Sequence, residues 1–104
     1  MRIRKNPAAR RKEIIKAAIS LSKKIGYDKI NRILLSKQMG VSEALISYYF
    51  WPFDKLKKEV MQEAIDQQIL DIIAQGIINR DKTISNLEEN VKQKALAHVA
   101  RTFL

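Results

Sequence analysis

Punctuation is scarce in this chain, and that scarcity constrains its fold more than any other feature. Three glycines and two prolines interrupt 104 residues, too few for the many tight turns that a set of short strands requires. The glycines fall where runs of helical period end. Between Asn6 and Gly26 the apolar residues Ile14, Ile15, Ala18, Ile19 and Ile25 recur at three- and four-residue spacing, which is one face of a helix of about 18 residues. Asn6 is the expected N-cap, and Pro7 takes the tolerated first helical position. Lys12, Lys16, Lys23 and Lys24 fall largely off the apolar face, and Gly26 stops the helix as a left-handed residue. A second helix is expected from Arg32 to Met39, between the cap Asn31 and Gly40. Ser42 then caps a third, from Glu43 to about Phe50. Trp51-Pro52 interrupts it, because the residue before a proline avoids the helical region.

Beyond Pro52, the residues Phe53, Leu56, Val60, Ala64, Ile65, Ile69, Ile72, Ile73 and Ile77 read as one long helix, about 25 residues of nearly heptad stripe. Gly76 is the point where it frays or ends. A last helix is expected near Thr83 or Ser85, where Ser85-Asn86-Leu87-Glu88 fits a capping box. Leu87, Val91, Ala95 and His98 line one of its faces, and Leu96, Val99 and Phe103 mark another. The expected fold is all-α. A basic arm at residues 1–6 leads to a three-helix head at 7–51, and two further helices fill 52–104.

Charge divides the chain in the same place. Residues 1–58 hold 15 Lys/Arg against 4 acids, whereas 59–104 hold 5 against 7, within a net charge of +9. A basic head on a near-neutral tail points to a head that meets a polyanion and a tail that meets protein. No apolar run approaches the roughly 18 residues of a membrane span. The basic N-terminus lacks the apolar stretch of a signal peptide, and without cysteine there are no disulfides or thiolate metal sites. The expected location is the cytoplasm, on the nucleoid.

Residues 32–50 carry the most specific spacing. A helix-turn-helix needs a small residue inside its first helix, a glycine four residues later, and apolar residues that pin the two helices together. Ser36 and Gly40 meet the first two needs, and Leu35, Met39, Val41, Ile46 and Tyr49 meet the third. Together with Arg11-Lys12-Glu13-Ile14-Ile15-Lys16-Ala17-Ala18, Gly26-Tyr27-Asp28, Gly40-Val41-Ser42 and Tyr48-Tyr49-Phe50, this pattern resembles the N-terminal domain of the tetracycline-repressor (TetR) family over about residues 8–64. The resemblance implies a DNA-binding head whose third helix enters the major groove. It also implies a homodimer on a near-palindromic operator, usually a repressor. Ser47 stands where the family commonly has tyrosine, and Phe53 where it commonly has a phosphate-binding lysine; Lys55, Lys57 and Lys58 are the candidate substitutes. Family members carry a larger helical domain that binds an inducer, whereas two helices are expected here, so no small-molecule inducer is expected.

The expected duplex-DNA contacts follow. Ser42, Glu43 and Ala44 open the third helix, where base edges are met: Ser42 as cap, with a phosphate bond as its second role, Ala44 toward a thymine methyl, and Glu43 as a solvated capping charge, with acceptance from cytosine N4 as the alternative. Ser47 and Tyr48 form the next exposed turn, and Tyr49 divides between the DNA backbone and the core. Arg32, Lys37, Gln38 and Lys55 are phosphate candidates, and Arg2, Arg4 and Lys5 form an arm for a minor groove or phosphates. Trp51 and Phe53 are expected to cover the head's core. The stripe of Ile65, Ile69, Ile72, Ile73 and Ile77, with Val91, Leu96, Val99 and Phe103, is expected to form a dimer interface, since such a patch left open invites association. His98 belongs to that interface or the core. One histidine and no cysteine leave no triad or thiol nucleophile, and Glu59, Glu63 and Asp66 read as a solvated helix back rather than a metal site, so neither an enzyme nor a cofactor is expected. A sequence-specific regulator fits these features best; an architectural or plasmid-partition DNA binder and a helical protein adaptor are the alternatives.

Overall fold

The computed structural model describes residues 6–79, 81 and 89–103, the side chains of 102 and 103 excepted. Among the described residues six α-helices follow one another: α1 Pro7–Ile25, α2 Arg32–Met39, α3 Glu43–Tyr49, α4 Phe53–Gln67, α5 Leu70–Ile78 and α6 Glu89–Phe103. A single 3₁₀ turn, Tyr27–Lys29, lies between α1 and α2, and no strand occurs among the described residues. The chain is all-α.

The first three helices begin and end on the residues whose chemistry demands it. Asn6 accepts from the Ala9 amide at 2.7 Å, Asn31 from Leu34 at 2.8 Å and Ser42 from Leu45 at 3.1 Å, each satisfying an amide that the first turn leaves without a partner. Gly26 closes α1 at φ 104°, and a Cβ there would meet the Asp28 carboxylate at 2.9 Å.

The tail differs from expectation. The single long helix after Pro52 is two, because the chain reverses at Gln68, which adopts φ 54° and ψ 47°. Three helices therefore follow the head among the described residues. A straight helix rises about 1.5 Å per residue and would carry Ile72, Ile73 and Ala74 away from the head. Folding back instead buries all three, with exposures of 1%, 0% and 0%, in a helix that packs against α6, α4, the 3₁₀ turn and α1. Each large apolar side chain so buried stabilises the fold by about 1.5–3 kcal/mol, so Ile72 and Ile73 together outweigh the roughly 1–2 kcal/mol that one left-handed residue costs.

The same core takes in Ile14, Ala18, Leu35, Ile46, Phe50, Leu56, Val60, Met61 and Ala64, and Ala95 of α6. It runs without interruption from α1 to α6. Ile72 and Ile73, expected at a dimer interface, are therefore enclosed within one chain and do not face a partner. Ile65, Ile69, Ile77, Val91 and Val99 are half-buried against the core, while Leu96 and Ile78 remain exposed. Phe103 is the last residue of α6, and its side chain, like the capping box at 85–88, lies outside the described residues.

Tail and head are joined by polar contacts as well. The buried Tyr27 hydroxyl lies 3.0 Å from both the Lys57 carbonyl and an Asp81 carboxylate oxygen. The Gln75 side-chain oxygen accepts from the Asp28 amide. His98 on α6 pairs with Asp71 on α5 at 2.6 Å. No buried side-chain nitrogen or oxygen among the described residues lacks a hydrogen-bond partner.

Candidate nucleic-acid interface

Local chemistry shapes the turn between α2 and α3. Gly40 takes φ 68° and ψ 34°, a region closed to most side chains by steric conflict with the carbonyl. Its amide donates to the Lys37 carbonyl and that of Val41 to Ser36, the paired bonds of a Schellman end. Ser36 is buried and returns its hydroxyl to the Ile33 carbonyl at 2.8 Å, so the position holds a small side chain with no unsatisfied group. Ile46, fully buried, and Phe50 anchor α3 from behind. The α2–α3 pair is a helix-turn-helix in geometry as well as spacing.

On the outer side of α3, Ser42, Glu43, Ala44 and Tyr48 are exposed, Tyr48 by 80%. Ser42 spends its oxygen on the cap. Tyr49 is half-buried against the core, edge-on to Tyr48 at 5.0 Å between ring centres. Arg32 crosses from the first turn of α2 to α3. Its Nε donates to the Glu43 carboxylate and a terminal nitrogen to the Ser47 hydroxyl, both at 3.2 Å, while the guanidinium lies over the Trp51 ring at 5.6 Å. Four expected or neighbouring site residues are thus gathered into one cluster. The cluster corrects two expectations. Glu43 is ion-paired rather than solely a capping charge, and Trp51 is 63% exposed and stacks under an arginine rather than covering the core. Phe53, by contrast, does pack against the core.

The remaining cations are dispersed. Lys37 and Lys55 are exposed. Gln38 turns back to donate to the Ala17 carbonyl at 2.9 Å, which ties α2 to α1. Lys12, Lys16 and Lys23 line a groove between α1 and α4 together with Glu59 and Glu63. Arg2, Arg4 and Lys5 lie outside the described residues.

One structural residue escaped the sequence reading. Arg11 donates to the Tyr49 carbonyl and to both carboxylate oxygens of Glu59, each at 3.0 Å, and lies 4.4 Å above the Phe50 ring. It joins α1, the end of α3 and the middle of α4. Its partners are 38 and 48 residues away, beyond any local pattern. Glu59 stays exposed, as expected of a solvated helix face, and pairs there with Arg11.

The α2–α3 turn has the form of a helix-turn-helix, and sequence comparison finds similarity to regulators of that type. The chain is 33% identical over 61 residues to the HTH-type transcriptional regulator BetI of Vibrio campbellii, and equally to that of Vibrio parahaemolyticus. The match takes in 59% of this chain and 31% of each relative, so the chain spans about a third of the length of the curated relatives it matches. No family model matches the chain, and no solved structure matches it. No helix among the described residues is long and apolar enough to cross a membrane, and those residues include no metal-binding cluster of His, Cys, Asp or Glu.

Proposed function

We propose that this chain is a DNA-binding transcriptional regulator with α3 as its recognition helix. The observation that carries this reading is the turn itself: α3 is pinned from behind by Ile46 and Phe50, and presents Ser42, Glu43, Ala44 and Tyr48 outward. A helix held in this way offers its N-terminal residues to base edges in a major groove. Similarity to BetI regulators and the excess of cations in residues 1–58 support it.

In its fuller form the reading is a cytoplasmic, nucleoid-associated repressor of the TetR type, a homodimer that occludes a palindromic operator. Two copies of α3 then enter major grooves about 34 Å apart. Lys37 and Lys55 serve phosphates, Arg32 holds Glu43, and Arg2, Arg4 and Lys5 serve as an arm. Residues 52–104 join the copies through the exposed Ile78 and Leu96, with Ile65, Ile69, Ile77, Val91, Val99 and Phe103 as the further candidates. No small-molecule effector is part of this reading.

Gel shift and footprinting of selected duplexes, with mass measurement in solution, test it. A compact palindromic footprint and a doubled mass are expected; equal binding to scrambled duplex rejects a specific reader. The exposed Ile33, Leu34, Tyr48 and Trp51 favour a second reading, an adaptor that docks protein. Salt separates the two. A protein neutralising about 6–10 phosphates loses about 10³–10⁵ in affinity between roughly 50 and 200 mM salt, and an apolar docking surface does not.

A further inference from the structure

We infer that Glu43 is a specificity-determining residue that selects cytosine at one position of each half-site, with Arg32 as its positioning residue. The inference rests on the proposed reading of DNA by α3. A carboxylate in the first turn of a recognition helix is at odds with a polyanionic partner unless something offsets it. Here something does. Arg32 reaches from α2 to hold the Glu43 carboxylate at 3.2 Å and is itself fixed at two other points, the Ser47 hydroxyl at 3.2 Å and the Trp51 ring at 5.6 Å. The pair presents little net charge to the phosphates, and the hydrogen bond from Arg32 falls on one of the two carboxylate oxygens.

The remaining oxygen of an exposed carboxylate is an acceptor only. In the major groove, thymine and guanine present acceptors on their edges and repel it, whereas cytosine presents its N4 amino group. Adenine also presents an amino group, but its N7 acceptor lies beside it on the same base; cytosine carries only a C–H there. Cytosine is therefore the base that this group accepts. Holding the carboxylate before DNA arrives also reduces the ordering that binding requires.

The test is selection of bound sequences from random duplex at about 150 mM salt, followed by affinity measurement on single-base variants, for the full chain and for Glu43→Gln and Glu43→Ala. The wild type is expected to require C·G at one position per half-site, with a loss of about tenfold or more for any other pair. Both variants are expected to lose that requirement while keeping every other position of the site. Glutamine, which donates as well as accepts, is expected to move the preference toward adenine. Glu43 is exposed, so unchanged helicity and melting of both variants are the expected controls. A wild-type site that both variants retain in full overturns the role of Glu43 while leaving DNA reading intact. A wild type without any sequence preference overturns both.

Discussion

Two joints in this molecule share one hydrogen-bond pattern and differ in the residue at the bend. Between α2 and α3 the bend is Gly40, with Gly40 donating to Lys37 and Val41 to Ser36; between α4 and α5 it is Gln68, donating to Ile65, with Ile69 donating to Ala64. Both bends are left-handed, at φ 68° and φ 54°, and both are Schellman ends. At the first, residue type and geometry agree, and a side-chain cap on Ser42 restarts the chain. At the second, a residue with a Cβ occupies a region that costs about 1–2 kcal/mol, and Ile69 offers no side-chain cap. The first joint is specified locally, and the second is imposed by what lies beyond it.

The largest expected effect tests that imposition. If burial of α5 drives the second bend, Ile73→Ala should lower the unfolding free energy by about 2–5 kcal/mol, the usual cost of truncating a fully buried isoleucine. Ile73 shares its core with Ile14 and Leu56, so denaturant unfolding followed by tail and head probes should shift as one transition. A tail that melts alone, with the head unchanged, would break the claim of a single core.

The contrast also explains what the sequence made legible. Caps at Asn6, Asn31 and Ser42 and glycines of positive φ at 26 and 40, of which Gly40 alone is left-handed helical, are signals carried by single residue types, and α1, α2 and α3 fall where those signals place them. Gln68 carries no such signal. The apolar stripe through Ile65, Ile69, Ile72 and Ile73 fits one long helix as well as two that fold together, and only three-dimensional burial chooses between them. The outer face of α3 was legible as a set of positions, because period and turn fix which residues point outward. The Arg32–Glu43–Ser47 cluster was not, since it forms across the turn. The contacts of Arg11 and Tyr27 were even less so, with partners 30 to 54 residues distant.

At the first joint, Gly40→Ala isolates the cost of the bend, because an added Cβ would meet nothing within 4 Å. Backbone strain of about 1–2 kcal/mol is offset in part by about 0.5–1 kcal/mol of freedom removed from the unfolded chain, so a destabilisation of about 1 kcal/mol is expected, read by thermal or denaturant unfolding. A value near zero would mean that the turn relaxes to another geometry.

Tyr27 probes the tie between tail and head. Burial, then the neighbouring Asp81 carboxylate, holds its hydroxyl well above the ordinary value near 10. The folded state therefore keeps a proton that the unfolded state releases, so stability should fall as pH rises above about 10. Tyr27→Phe should cost about 1 kcal/mol at neutral pH, the worth of one hydrogen bond, and should flatten the alkaline decline relative to wild type. Parallel pH–stability curves for the two proteins would show that the hydroxyl is not held in this way.

The smallest expected effect is the reverse of the Gly40 substitution, placed at the second joint. Gln68→Gly removes left-handed strain of about 1–2 kcal/mol but adds backbone freedom to the unfolded chain, a cost of about 0.5–1 kcal/mol. The Gln68 side chain is exposed, so little else changes, and the variant should be more stable by up to about 1 kcal/mol in denaturant unfolding. The opposite signs expected at Gly40 and Gln68 follow from one conformation met by two residue types. A Gln68→Gly variant less stable than wild type would mean that the glutamine side chain itself supports the bend. The second joint would then be specified locally after all, and the contrast between the two would close.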